Sequence, residues 1–212
     1  MKKRVLALVM VFALAVTTMT GCVKVVKIGE EGKLTGKTEF NADDSVSEMW
    51  DAAVEDISNK AVELPTFLTE ANGDLTSLAD KYGKYSMGTS GSISYAVKGS
   101  GTVEEVHQEK KAGYMTVKLD GYEGKEVIKL QIGSIYKGSS TRDTLDIINF
   151  GDYTNQKEWG AISQGLHSLI DTNVIQPADP AGLQGKSIEF IGTFTAEEND
   201  ELLITPVSLT VK

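Results

Sequence analysis

The spacing of apolar residues changes at Gly83, and this change limits the possible folds more than any other feature of the chain. Before Gly83, apolar side chains recur every three or four residues, as in amphipathic helices. After it, short segments alternate apolar and polar residues and are separated by glycines, which is typical of strands with one buried face. We therefore predict one globular α+β domain over residues 44–212, helical at 44–83 and β-rich at 84–212.

The first predicted helix runs from Asp44 to about Leu64, and its apolar stripe is typical of a helix packed against a sheet. Ser45 and Glu48 match the S-x-x-E pattern of a capping box. Two shorter helices should follow, and the residues that delimit them are Pro65 and Gly73 for the first and Asp74 and Gly83 for the second.

Six strands are predicted after the helices, at residues 93–97, 102–106, 114–119, 126–132, 187–194 and 202–211. A helical or irregular insert, from Thr141 to about Asp171, precedes the last two strands. This order predicts an OB-like β-barrel, and an open antiparallel sheet with the first helix packed on it fits nearly as well. Pro206 indicates an edge or a bulge in the last strand.

The N-terminal residues have the pattern of a bacterial lipoprotein signal. Three basic residues precede an apolar run of twelve at 5–16, and Gly21 leads into Cys22, the only cysteine. The run is shorter than the roughly 20 residues that span a bilayer. We predict that signal peptide 1–21 is removed, that Cys22 is acylated, for example with palmitate, and that 22–43 form a tether.

This signal implies secretion across the cytoplasmic membrane and anchoring at the periplasmic face or the cell surface, with the lipid bilayer as a partner through acylated Cys22. Removal of the signal leaves 18 basic residues against 30 acidic ones, a net charge of −12. That charge argues against nucleic acid as a partner and against electrostatic docking on anionic lipid.

Familiar catalytic and metal-binding motifs are absent from the sequence. It contains neither a G-x-x-x-x-G-K loop nor an H-E-x-x-H helix, and Cys22 is committed to lipid. The only histidines, His107 and His167, lie 60 positions apart and do not predict a metal site. We expect no cofactor and no catalytic residue. The enzymatic alternative is a glycan-acting hydrolase that uses Asp143 and Asp152 as acid and base.

One stretch, residues 130–159, concentrates side chains suited to a polyhydroxylated ligand or a partner. These are Gln131, Arg142, Asp143, Phe150, Tyr153, Asn155, Gln156 and Trp159. Amides and carboxylates pair with neighbouring hydroxyls, and rings cover the apolar face of a sugar. The same side chains would equally brace a loop-rich crossover, with Asn149 and Asn155 satisfying turn backbones. The sequence leaves both interpretations open.

Several segments resemble one bacterial family, the predicted periplasmic lipoproteins with a domain of unknown function. They are GCVKVVKI, MWDAAV, KGSGTVEEV, LQIG, TRDTLDIINFGDYTNQKEW and LLITPVSLTVK. Where the family favours I-x-G-T-A-x-R-D, this chain has small polar residues in the middle but keeps Arg142 and Asp143. The resemblance implies a sugar ABC importer of the ribose type, or its substrate-binding protein, as a partner, because such genes often neighbour those of the family.

Together these observations predict a lipid-anchored, non-enzymatic accessory or binding protein linked to sugar import. A purely structural envelope lipoprotein is the first alternative, and the glycan hydrolase is the second.

Overall fold

Seven strands form one sheet in the computed structural model, which describes residues 40–197 and 200–212. In chain order the strands are β1 (Val62–Glu63), β2 (Gly83–Tyr85), β3 (Ile93–His107), β4 (Tyr114–Leu119), β5 (Val127–Gln131), β6 (Ser187–Thr195) and β7 (Glu201–Val211). Five of them close into a barrel in the order β3-β4-β5-β7-β6, because β3 also pairs with β6. The closed barrel, with its helical insert before the last two strands, confirms the predicted OB-like fold.

Two strand pairs are parallel, so the sheet is not purely antiparallel as one prediction had it. β1 runs parallel to β3, and β5 runs parallel to β7. Parallel neighbours need a long crossover connection. Between β5 and β7 the insert and β6 supply that connection, which lets the barrel close.

The strands predicted at 93–97 and 102–106 are a single strand, β3. Its first part pairs with β6 and its second part pairs with β4. Gly99 and Gly101 lie inside this strand rather than at its ends. A Cβ at Gly99 would lie 3.0 Å from Leu119 Cδ1, and one at Gly101 would overlap the carbonyl oxygen of Lys118. These glycines therefore permit a close approach where β3 passes from one neighbour to the other.

The helices lie before β3 and in the insert between β5 and β6. In chain order they are α1 (Ala42–Lys60), α2 (Leu64–Ala71), α3 (Ala79–Tyr82), α4 (Ser140–Thr144), α5 (Gln156–Ile170) and α6 (Gln176–Ala178). Short 3₁₀ turns occur at Leu75–Leu78, Phe150–Asp152 and Pro180–Gly182, and a π-helical turn follows α5 at Asp171–Ile175. α1 packs mainly on α5, where a Cβ at Gly165 would lie 2.8 Å from Val46 Cγ2, and to a lesser extent on the sheet.

The predicted capping box of α1 is wrong. Asn41 caps the helix, since its Oδ1 accepts from the Asp43 backbone N–H at 3.1 Å. The Ser45 hydroxyl instead donates to the Asn41 carbonyl at 2.8 Å. α1 ends at Lys60 rather than at Leu64, because Ala61 is extended and leads into β1. Asn41 is an equally good N-cap residue, and it lies one helical turn earlier.

The two shorter predicted helices are present with altered ends. The Asp74 side chain accepts from the Thr76 backbone N–H at 2.9 Å, as an N-cap does, but the segment begins as a 3₁₀ turn before α3. α2 ends at Ala71 and is capped by Asn72, which adopts the left-handed conformation with φ 47°, one residue before the predicted stop at Gly73.

The helices and the barrel share one core, in which three rings form the core aromatic cluster of Phe67, Tyr95 and Phe194. All three side chains are fully buried, and Phe67 lies 4.8 and 5.7 Å from the centroids of the other two rings. The Tyr95 hydroxyl donates to the Leu75 carbonyl at 2.6 Å. Burial raises the pKa of Tyr95 to about 12. This cluster joins α2 to β3 and β6.

A register shift in the β6–β7 pair confirms the bulge predicted at Pro206. Ile191 pairs with Ser208 and Gly192 with Pro206, which leaves one extra residue on β7. Pairing of β7 with β5 ends at Ile204, before the proline. The predicted signal peptide, Cys22 and most of the tether lie outside the described residues. Within the described ranges, no helix has both the length and the apolar character that crossing a membrane requires.

Candidate functional site

Arg142, on α4, lies at the centre of the block predicted from the sequence. Its Nε and Nη2 donate to Asp143 Oδ1 at 2.9 and 2.6 Å, and its Nη1 donates to the Trp159 carbonyl at 3.1 Å. The guanidinium carbon lies 4.4 Å from the centroid of the Trp159 ring. The side chains of Arg142 and Asp143 are only 11% and 9% exposed. The pair therefore ties α4 to the first turn of α5.

Burial dominates the electrostatics of this pair. It raises the pKa of the Asp143 carboxyl above its ordinary value, while the Arg142 guanidinium acts in the opposite direction. Removal of either side chain would leave the other charge buried without a partner, which destabilises a fold strongly. The contacts of Arg142 and Asp143 thus favour the bracing interpretation.

Asn155 and Asp152 are engaged with the backbone. Asn155 caps α5, since its Oδ1 accepts from the backbone N–H groups of Lys157 and Glu158 at 2.9 and 3.0 Å. Asp152 Oδ2 accepts from the Asn149 N–H at 2.8 Å. Gln156 follows as the first residue of α5 and is exposed. Asp143 is thus held by Arg142 and Asp152 by a turn, and their use as an acid–base pair stays a prediction.

Gln131 is the last residue of β5, in the wall of the barrel. It is 3% exposed, and its Nε2 donates to Thr205 Oγ1 at 2.8 Å and to the Lys137 carbonyl at 3.1 Å. Its Oε1 accepts from the Lys137 N–H at 2.7 Å. These bonds fix the loop after β5 to β7, and none of them involves Arg142, Asp143 or Trp159.

Three rings at the start of α5 form the surface aromatic cluster of Phe150, Tyr153 and Trp159. The Trp159 ring lies 5.1 Å from that of Tyr153 and 6.1 Å from that of Phe150, the latter at an interplanar angle of 81°. Exposure rises outward through the cluster, from 8% at Trp159 to 44% at Phe150. Trp159 is thus mainly a packing residue, whereas Phe150 faces solvent.

Ile147, in the same loop as Phe150, is also 44% exposed. We call these two side chains the apolar loop surface. Large apolar side chains with this exposure are few among the described residues. They are Met87, Val127, Ile135, Ile147, Phe150 and Val211.

The sequence did not predict that the rings of Tyr136 and His167 are stacked, close enough to Arg142 for its charge to act on His167. The rings of Tyr136 and His167 lie 5.0 Å apart at an interplanar angle of 23°. The Tyr136 hydroxyl is buried and has no hydrogen-bond partner among the described residues. Burial and the charge of Arg142 lower the pKa of His167 to about 4, so its ring is neutral at pH 7. Tyr136 and His167 lie on different elements and belong to no common motif, so the sequence gives no signal that their rings are in contact.

The other histidine lies at the end of β3. His107 Nε2 is 3.0 Å from Glu105 Oε2, and its ring lies 4.7 Å from the ring of Tyr114. Within residues 40–197 and 200–212, no group of three His, Cys, Asp or Glu side chains is arranged to hold a metal ion.

Comparisons with known proteins give a family match and matches to solved structures. The family model described as "Predicted periplasmic lipoprotein (DUF2291)" matches residues 12–210. The crystal structure of an OB-fold protein from Thermotoga maritima aligns with a TM-score of 0.64 at 18% sequence identity. The alignment covers 82% of this chain and 100% of that chain, and at this identity it shows the fold alone. A search of curated proteins gave no match.

Proposed function

The chain belongs to the family of predicted periplasmic lipoproteins, and from that premise we propose that it is a non-enzymatic accessory protein of sugar import. It docks a protein partner, the importer or its substrate-binding protein, through the apolar loop surface. Acylated Cys22 holds it at the membrane, so that the partner is met at the bilayer surface.

The observation that carries this proposal is a contrast within residues 130–159 between polar groups that are paired and apolar side chains that are exposed. Their strongest hydrogen-bonding groups are already paired inside the fold, Arg142 with Asp143 and Asn155 with the α5 backbone. Arg142 is buried and Asn155 Oδ1 is occupied by the backbone, so neither is open to a sugar, whereas a protein partner needs exposed apolar side chains. Ile147 and Phe150 are exposed and lie three positions apart in the same loop. This pattern supports protein docking better than direct sugar recognition by the block.

Charge around the apolar loop surface indicates the chemistry of the partner. Asp152 is exposed two positions after Phe150, and the carboxylate of Glu158, in the first turn of α5, accepts from the Thr154 N–H. The whole chain is acidic, with a net charge of −9. An apolar patch with a basic rim is therefore the complementary surface, and its encounter would be accelerated by electrostatic steering.

Photo-crosslinking in cells tests the docking surface. A photoreactive amino acid replaces Phe150 in one strain and Met87 in a control strain, and adducts are tested with antibodies against the importer and its substrate-binding protein. Met87 is 77% exposed, so its probe is the more accessible of the two. The proposal expects an adduct with one of these proteins from position 150 only. Equal adducts from both positions, or none from position 150, would contradict it.

Metabolic labelling tests the anchor. Labelled palmitate should enter the wild-type chain, and Cys22→Ser should abolish both the label and membrane retention, because Cys22 is the only thiol in the sequence. Label that persists in Cys22→Ser would contradict acylation at this residue.

A further inference from the structure

A groove crosses the outer face of the barrel at a place that the sequence did not single out. Four strands contribute to its floor in register, with Glu63 beside Lys98, Lys98 beside Ile191, and Ile191 beside Ser208. A second row runs from Ser100 through Glu189 to Thr210. The first row spans β1, β3, β6 and β7, and the second spans β3, β6 and β7. The apolar loop surface, by contrast, belongs to the insert.

The size of the groove suits a small molecule. Its volume is about 290 Å³, at the lower end of the range for ligand pockets. A single pentose or hexose fits this scale better than a dinucleotide or a folded peptide does.

Each charge that lines the groove is paired with an opposite charge. Lys98 Nζ lies 3.6 Å from Glu63 Oε1, and Lys212 Nζ, outside the lining, lies 2.7 Å from Glu189 Oε1. A phosphate would therefore meet two carboxylates and one ammonium group, and a free cation would meet carboxylates that lysines already neutralise. This balance favours a ligand without net charge.

Hydroxyl groups provide the remaining polar contacts. The Ser208 and Thr210 hydroxyls have no hydrogen-bond partner in the described part of the chain, and they line the groove beside the two carboxylates. Ser100 differs, since its hydroxyl donates to Asp120 Oδ2 at 2.8 Å. Ile191 adds a half-buried apolar side chain to the floor. Carboxylates that accept, hydroxyls that donate or accept, and one apolar contact together suit a molecule rich in hydroxyls.

We propose that this groove binds one neutral, polyhydroxylated molecule the size of a monosaccharide, held by Glu63, Lys98, Glu189, Ser208 and Thr210. The inference goes beyond partner docking and does not depend on it, because it concerns different residues on a different face.

Ligand-observed saturation-transfer NMR tests the groove. The full-length protein is purified in a detergent without a sugar headgroup, and a panel of neutral pentoses, hexoses and polyols is titrated. Ser208→Tyr fills the groove with a ring that suits a strand. Ser168→Tyr is the matched control, since Ser168 is exposed on α5. Circular dichroism checks that both variants remain folded.

The proposal expects transfer from the protein to at least one member of the panel, at least about tenfold weaker affinity in Ser208→Tyr, and unchanged affinity in Ser168→Tyr. Lys98→Met, which leaves the groove open but removes its ammonium group, should weaken binding less than Ser208→Tyr. No transfer to any member, or equal affinity in Ser208→Tyr and wild type, would overturn it. Neither result bears on the crosslink from position 150, so the two proposals fail separately.

Discussion

The core and surface aromatic clusters have similar ring contacts but differ in how far their rings are exposed to solvent. In both, a central ring makes an edge-to-face contact with a neighbour about 5 to 6 Å away. Every ring of the core cluster is fully buried, whereas the surface cluster ends in Phe150 at 44% exposure. Ring contact alone therefore does not distinguish a core from a recognition surface. Exposure and the pairing of nearby polar groups do.

The largest expected effect comes from breaking the core cluster. Phe194→Ala should lower the free energy of unfolding by about 3–5 kcal/mol, because it leaves a cavity against Phe67 and Tyr95. Phe150→Ala should cost less than about 1 kcal/mol, because nearly half of that ring is already in water. Urea unfolding followed by circular dichroism measures both. Equal losses would contradict the distinction between the two clusters.

Arg142 should rank next, as the support beneath the surface cluster. Arg142→Ala should cost about 3 kcal/mol, since it leaves the Asp143 carboxylate buried and unpaired. Asp143→Ala combined with Arg142→Ala should cost less than the sum of the single changes, and a double-mutant cycle measures that coupling. Additive losses, or a loss from Arg142→Ala below about 1 kcal/mol, would show that the pair does not brace the fold.

His167 should make the stability of this region depend on pH. Its pKa of about 4 lies below its ordinary value, so its contribution to stability is present above about pH 6.5 and is lost as the pH falls toward 4. Between pH 7 and pH 5 the wild type should lose about 2 kcal/mol more than His167→Gln does. Urea unfolding at the two pH values measures the difference. Parallel pH dependence in the two proteins would contradict the burial of a neutral imidazole.

The smallest effect is expected at Tyr136, and it has the opposite sign. Tyr136→Phe removes a buried hydroxyl that has no partner among the described residues, and it keeps the ring stacked on His167. The variant should be more stable by about 1 kcal/mol, because the wild-type hydroxyl is buried without compensation. Thermal unfolding of the two proteins checks this. A loss of stability would indicate that the hydroxyl has a solvent or ligand partner.

The barrel was predictable because alternating residues report directly which face of a strand is buried. The sequence predicted two strands where the structure has the single strand β3, because Gly99 and Gly101 were interpreted as strand ends. A glycine that ends a strand cannot be distinguished in sequence from one that permits close packing within it. Asn41 and Ser45 are both suitable caps by residue type, and only the observed hydrogen bonds identify Asn41 as the one used.

The candidate site was less predictable than the fold. Asn155 and Arg142 have side chains that serve equally in recognition and in bracing, and only their observed partners favour one role. Lys98 and Ser208 are separated by more than a hundred positions and become neighbours of Ile191 only through the strand register. Composition carries no information about such neighbours.

Uptake of labelled sugar by cells tests the central claim most directly. A deletion strain is complemented with the wild type, with the double variant Ile147→Ser and Phe150→Ser, or with the control Met87→Ser, at equal protein levels. Docking through the apolar loop surface predicts that uptake with the double variant falls to the level of the deletion strain, while the control restores wild-type uptake. Full uptake with the double variant would contradict the account.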